Sequence, residues 1–253
     1  MNRRWLLFLM TVTVMGVGIA SYYVYEKLPL LKLVDTTYSM DETPSVYLVP
    51  EKEIHITPRI SSDFAAQTFT IDKIQISLPK TLVLEVKESR DTEITKIVGP
   101  SGKMLVVAPE KGYGKVVKKY QSDDSPFFDK RELRTSYDFA MATMNTTPDG
   151  LSVLTPWDSL VRAVVLLSFK LSETSDASAI RPLLIGSLKA VQVGDPENGD
   201  EVVRVFLFPS QYRRIDLYFR EYASEEIISV LESLVAKQGA ATDGQPAARL
   251  VYS

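Results

Sequence analysis

The chain has 253 residues, 24% of them charged, a net charge of −3 and a pI near 5.4, so no overall basic field invites nucleic acid. It has no cysteine and a single histidine, His55. That excludes a disulfide framework, a thiolate zinc site, a cysteine nucleophile and any paired-histidine metal motif.

The N-terminal stretch, residues 5–25, reads WLLFLMTVTVMGVGIASYYVY behind a basic tip with Arg3 and Arg4. A bilayer core about 30 Å thick needs roughly 20 apolar residues in a helix. The spacing predicts a transmembrane signal anchor over 5–25, with residues 1–4 as a cytoplasmic tip. Trp5 would lie at one interface and Tyr22, Tyr23 and Tyr25 at the other. Gly18-Ile19-Ala20 offers the small residues of a cleavage site, the alternative reading, but an aromatic run directly after Ala20 suits an anchor better.

Residues 26–63 read as a tether punctuated by Pro29, Pro44, Pro50 and Pro58, since proline fixes φ and interrupts a helix. Within it His55 alternates with Ile54 and Ile56, as the polar face of a short strand. A folded body is expected over 64–238. Phe69 and Ile71, then Ile74, Ile76 and Leu78, alternate with a change of phase at Asp72-Lys73. Leu82 to Val86, Glu93–Val98 and Lys103–Val107 read as further strands. Gly99-Pro100-Ser101-Gly102-Lys103 lacks P-loop spacing and precedes a strand, so it reads as a hairpin turn.

Between Lys111 and Tyr120, Lys111, Lys115, Lys118 and Lys119 interleave with Tyr113 and Tyr120. This is the one basic patch with aromatics. It reads as a solvated loop, and as the stretch able to contact anionic lipid, glycan or an acidic partner. Ser125-Pro126 signals a helix start, and Leu133, Tyr137, Met141 and Met144 follow at helical spacing. Thr155-Pro156-Trp157-Asp158 opens a longer helix, in which Ser159, Arg162, Lys170 and Glu173 form a narrow polar stripe.

Ser187–Val193, Glu201–Phe208 and Arg213–Glu221 read as strands. The acidic turn Asp195–Asp200 breaks the EF-hand ligand pattern and reads as a hairpin connection. Asp216, Tyr218 and Arg220 are expected on the face opposite Ile215, Leu217 and Phe219. Ser224 opens a final helix stopped by Gly239, and 239–253 reads as a flexible tail.

The predicted architecture is an α+β domain with an antiparallel sheet sandwiched by helices, preceded by one N-terminal transmembrane helix. The element order, with FTIDKIQISLP early and KAVQVGDPENGDEVVRVFLFPSQYRRIDLYFREYASEEIISVLESL late, resembles the PsbP/Mog1-like family over about 64–235. That resemblance implies an accessory module docking on a larger assembly, as family members do on photosystem II or the GTPase Ran; it implies no binding residue here. The expected function is therefore a membrane-anchored, non-catalytic domain with a protein partner in an envelope or membrane assembly, exported to a bacterial periplasm or cell surface. No cofactor, metal or nucleic acid is expected. Two alternatives stand: a glycan enzyme using carboxylates alone, with candidates such as Asp158 and Asp216, and a lipid or small-ligand carrier with the Lys111–Tyr120 stretch at its mouth.

Overall fold

The computed structural model describes residues 24–39, 41–59, 67–71, 74–78, 83–89, 92–98, 102–110, 112–120, 133–198 and 201–236. Its main sheet has eight strands in the order β1-β7-β8-β9-β10-β6-β5-β4. These are β1 (Ile54–Ile56), β4 (Val83–Ser89), β5 (Thr92–Val98), β6 (Met104–Pro109), β7 (Ile180–Ile185), β8 (Leu188–Val193), β9 (Val203–Ser210) and β10 (Arg213–Arg220). All neighbours pair antiparallel except β1 and β7, which run parallel with Ile54 opposite Leu183 and Ile56 opposite Ile185. The expected antiparallel sheet is thus a mixed one. A second sheet orders β11 (Val235–Ala236), β3 (Ile74–Leu78) and β2 (Gln67–Ile71), all antiparallel.

Both faces of the main sheet are covered, so its central strands carry apolar residues on both sides. On one face Val203, Val205, Leu207, Ile215, Leu217 and Phe219 meet Ile74, Ile76 and Leu78 of β3. Ile227, Val230 and Leu231 of α5 (Ser224–Glu232) complete that core. On the other face lie α2 (Tyr113–Tyr120), α3 (Ser136–Asn145) and α4 (Trp157–Thr174). Phe139 of α3 is the centre of this layer, with Tyr113, Tyr120 and Phe169 ringing it at centroid distances of 5.7, 5.7 and 5.3 Å. The Asp216 face of β10 therefore looks into a helix-covered core, not into solvent.

The stretch expected as a tether has structure in its described part. Residues 24–37 form a helix, α1, which runs through the exposed Pro29. A 3₁₀ turn, Pro44–Tyr47, follows. Val34, Tyr38 and Val46 close over Leu167 of α4. Two buried lysines fasten the layer. Lys27 donates to the carbonyls of Val153 and Thr155, and Lys170 donates to those of Leu48 at 2.5 Å and Thr146 at 2.7 Å. Each thereby fixes a segment end whose carbonyls would otherwise be left for water.

The expectation of a membrane anchor is corrected here. Among the described residues no helix is long and apolar enough to cross a membrane. Of the six residues expected to mark the span, only Tyr25 is described; it is exposed on α1, beside Glu26 and the seated Lys27. Arg3, Arg4, Trp5, Tyr22 and Tyr23 lie outside the described residues. The membrane-anchored function, the envelope partner and the periplasmic or cell-surface location rested on that span and are withdrawn with it.

Candidate functional site

The basic stretch expected as a loop is largely the helix α2. Its packing is unusually close at Gly114, where an added Cβ would sit 2.0 Å from the carbonyl oxygen of Tyr212. Gly114 lets α2 lie directly on the tip of the β9–β10 hairpin. That tip is held from two more sides: Ser136 N donates to Gln211 O at 2.7 Å, and Glu110 N donates to Arg214 O at 2.9 Å.

Between α2 and the hairpin opens a cleft of about 720 Å³. Lys115, Lys118 and Arg213 line it, with Tyr212 and Pro109 supplying apolar wall. Lys118 Nζ stands 4.7 Å from the centre of the Tyr212 ring, a cation–π placement that orders its long side chain. One carboxylate, Glu110, also reaches the cleft, but its Oε1 accepts from Gly112 N at 2.9 Å and closes the turn into α2. The helix N-terminus is therefore already served by a fixed anion, and Lys115 and Lys118 line the cleft beside it.

Two of the four lysines expected to meet an anionic partner, Lys115 and Lys118, are thus brought together. Lys119 is exposed but does not line the cleft, and Lys111 lies outside the described residues. Arg213 and Tyr212 were missed in the sequence because their strand was read only for its apolar alternation. Their signal was the QYRR turn: a polar aromatic followed by adjacent arginines, of which only one can join the buried face of a strand.

The other arginine does so. Arg214 is buried under α2, its guanidinium carbon 4.4 Å from the Tyr113 ring centre and 4.0 Å from that of Phe206. It grips Asp216 with both fork nitrogens, Nε to Oδ1 at 2.6 Å and Nη2 to Oδ2 at 2.9 Å, and Nη1 donates to Glu173 Oε1. Burial alone would depress the guanidinium, yet Glu173 and Asp216 together hold its pKa well above the ordinary value. Burial pushes the Glu173 carboxyl up, with Arg214 opposing and Asp216 adding to the rise. Glu173 Oε2 has no hydrogen-bond partner among the described residues. Removing the arginine would strand two buried carboxylates, a loss of about 3–5 kcal/mol for a broken buried pair. This cluster is a rivet between α4, α2 and β10.

Asp158 and Asp216, the carboxylates named as enzyme candidates, are not brought together. Asp158 is exposed in the first turn of α4, whereas Asp216 is buried on Arg214. His55 is exposed on β1 with Nε2 3.1 Å from Glu53. Among the described residues no group of three or more histidines and acids is placed to hold a metal ion. Asp195, in the acidic turn, instead accepts from Arg181 Nη2 at 2.7 Å.

Comparison with known proteins finds no matching family model, no matching curated protein and no matching solved structure. These comparisons neither support nor exclude the resemblance to the PsbP/Mog1-like family.

Proposed function

We propose that this chain is a binding domain for a small ligand bearing clustered anionic oxygens, phosphate or carboxylate, held in the cleft between α2 and the β9–β10 hairpin. The observation that carries the reading is the convergence of Lys115, Lys118 and Arg213 on one cavity, in a chain whose net charge is −3. Its volume falls within the range of small-molecule sites, roughly 300–1,000 Å³. Lys115 and Lys118 are point charges that adapt to the ligand's oxygens, and Arg213 adds to the positive field of the same cavity. Tyr212 gives an apolar flank for the body of the ligand. The reading is of binding without turnover, because the buried acids nearest the cleft, Glu173 and Asp216, are engaged by Arg214 beneath it.

Calorimetric titration at low salt with inorganic triphosphate and, separately, citrate tests this and tells phosphate from carboxylate preference. Binding is expected for at least one. Lys115→Ala and Lys118→Ala should each weaken it about tenfold, the loss of one charge-assisted contact, and raising the salt should weaken it further. Absence of binding to both probes, or affinities untouched by either substitution, overturns the proposal.

A further inference from the structure

A second concavity, about 370 Å³, lies at the β1 edge of the main sheet, between β1 and α5. Its floor is apolar: Leu183, Ile227 and Leu231 are fully buried there, and Ile56 nearly so. Its rim carries two isoleucines in an unusual state, Ile54 at 43% and Ile228 at 45% exposure, one on the strand and one on the helix.

The polar groups are arranged along the strand rather than around a point. Toward the start of β1, Arg181 is held between Glu51 at 2.9 Å and Asp195 at 2.7 Å, and the exposed carboxylate of Glu197 stands beyond them, lining the groove. Toward its end, Arg59 is exposed, 3.9 Å from Glu232. Gln192 faces the groove while only 8% exposed. Its Nε2 donates to Gly194 O at 3.1 Å, and its Oε1 takes no donor among the described residues.

The strand itself offers more. Gly186 N donates to Ile56 O, so Ile54 and Ile56 turn their backbone groups toward β7. The alternation along a parallel pair then turns the N–H and C=O of His55 outward. An edge strand with outward backbone groups, beside a groove that takes alternate side chains, is the arrangement used in β-strand addition.

We propose that this groove binds an extended peptide segment of a partner protein, which pairs with the outer edge of β1 through His55. Alternate apolar side chains of the segment enter between Ile54 and Ile228, a basic residue meets Glu197, and an acidic residue at the other end meets Arg59. The groove is more acidic at one end, where Glu51, Asp195 and Glu197 surround the single Arg181, than at the other, where Arg59 stands beside Glu232. This asymmetry selects a charged segment over an uncharged apolar one. Gln192 supplies an acceptor, its Oε1, for a donor on the incoming segment.

The test uses the full chain and a fluorescein-labelled peptide, Lys-Thr-Val-Thr-Val-Thr-Glu, read by anisotropy. Saturable binding is expected. Ile54→Glu and Ile228→Glu, both at exposed positions, should weaken it at least tenfold. His55→Pro removes the outward N–H but leaves the ladder to β7, and should weaken it about as much with an unchanged circular dichroism spectrum and melting temperature. Lys115→Ala, in the other cleft, should have no effect. Binding insensitive to His55→Pro overturns strand addition, and equal binding of a peptide with its end charges exchanged overturns the charge assignment. No binding to the full chain overturns the proposal; binding that emerges only when residues 240–253 are removed does so too, by assigning the groove to the chain's own tail.

Discussion

Lys170 shows how a single side chain can misreport its surroundings. By spacing it belongs with Ser159, Arg162 and Glu173 to a polar stripe, and a polar stripe ordinarily faces water. In the fold it is fully buried among carbonyls, and Glu173, three residues on, is buried on Arg214. Helical spacing correctly put the two on one face. What the sequence withholds is the identity of their partners, Leu48 lying 122 residues away and Arg214 lying 41. Burial holds the Lys170 pKa at about 8, against an ordinary 10.5. The unfolded chain therefore binds this proton at a higher pH than the folded one. Folding is disfavoured by the lysine below about pH 8, and the penalty is relieved as pH rises from 8 through 10.5. Urea unfolding at pH 8, 9 and 10 should show a smaller rise in stability, or a steeper fall, for Lys170→Met than for the unaltered chain. Parallel curves for the two would place the ammonium in water.

At the scale of elements, the sequence was most legible where one periodicity ran uninterrupted. The β2–β3, β5–β6 and β8–β9 pairings, α4 and the start of α5 stand near where alternation or helical spacing puts them. The helix α5 itself ends at Glu232, and Val235–Ala236, expected to continue it, pair with β3 instead. It was least legible where glycine or proline interrupts the pattern. The charge pattern of Lys111–Tyr120 reads as a solvated loop, and Gly112 and Gly114 further weaken a helical signal because glycine disfavours a helix; here Gly114 is required by the carbonyl of Tyr212 and not by a turn. Pro182 hid β7, since proline gives up a ladder donor. The expected helix start at Ser125-Pro126 lies outside the described residues. The helix α3 itself begins after Leu133, where the Thr135 hydroxyl accepts from Asp138 N at 3.1 Å and Asp138 Oδ2 accepts from Thr135 N at 2.9 Å, a capping box that the apolar run starting at Leu133 obscures. The glycine argument is directly checkable. Gly114→Ala would gain helix propensity of about 1 kcal/mol if α2 stood alone, but the clash must lift it from the hairpin. A fall in melting temperature together with loss of triphosphate or citrate binding is expected; a stabilised variant would mean that α2 does not rest on Tyr212.

For the whole molecule, the α+β class and the covering of the sheet by helices could be inferred from amphipathic segments that need partners. The second three-stranded sheet and the parallel pair could not, because β1 and β7 have no sequence feature that names each other. Their pairing makes residues 24–59 part of the body. A chain beginning at residue 60 would lose the strand opposite Leu183, the Leu48 carbonyl that receives Lys170, and the apolar cover of Leu167 by Val34, Tyr38 and Val46. At about 1.5 kcal/mol or more for each large apolar side chain buried, the loss is on the order of 5 kcal/mol. That corresponds to a fall of roughly 10–20 °C in melting temperature for a chain of this size. Scanning calorimetry of the shortened and full chains measures it, and coincident transitions would show the N-terminal elements to be ornament.

The parallel pairing of β1 with β7 also sets an order of events on the ribosome. Ile54 cannot find Leu183 until the intervening residues, more than half of the chain, have been made. At synthesis rates of about 5–20 residues per second, that wait lasts on the order of 6–26 s. The first strand to emerge is thus among the last to be seated, and for that interval Ile54 and Ile56 travel with an unsatisfied edge, open to wrong neighbours before the rightful one exists.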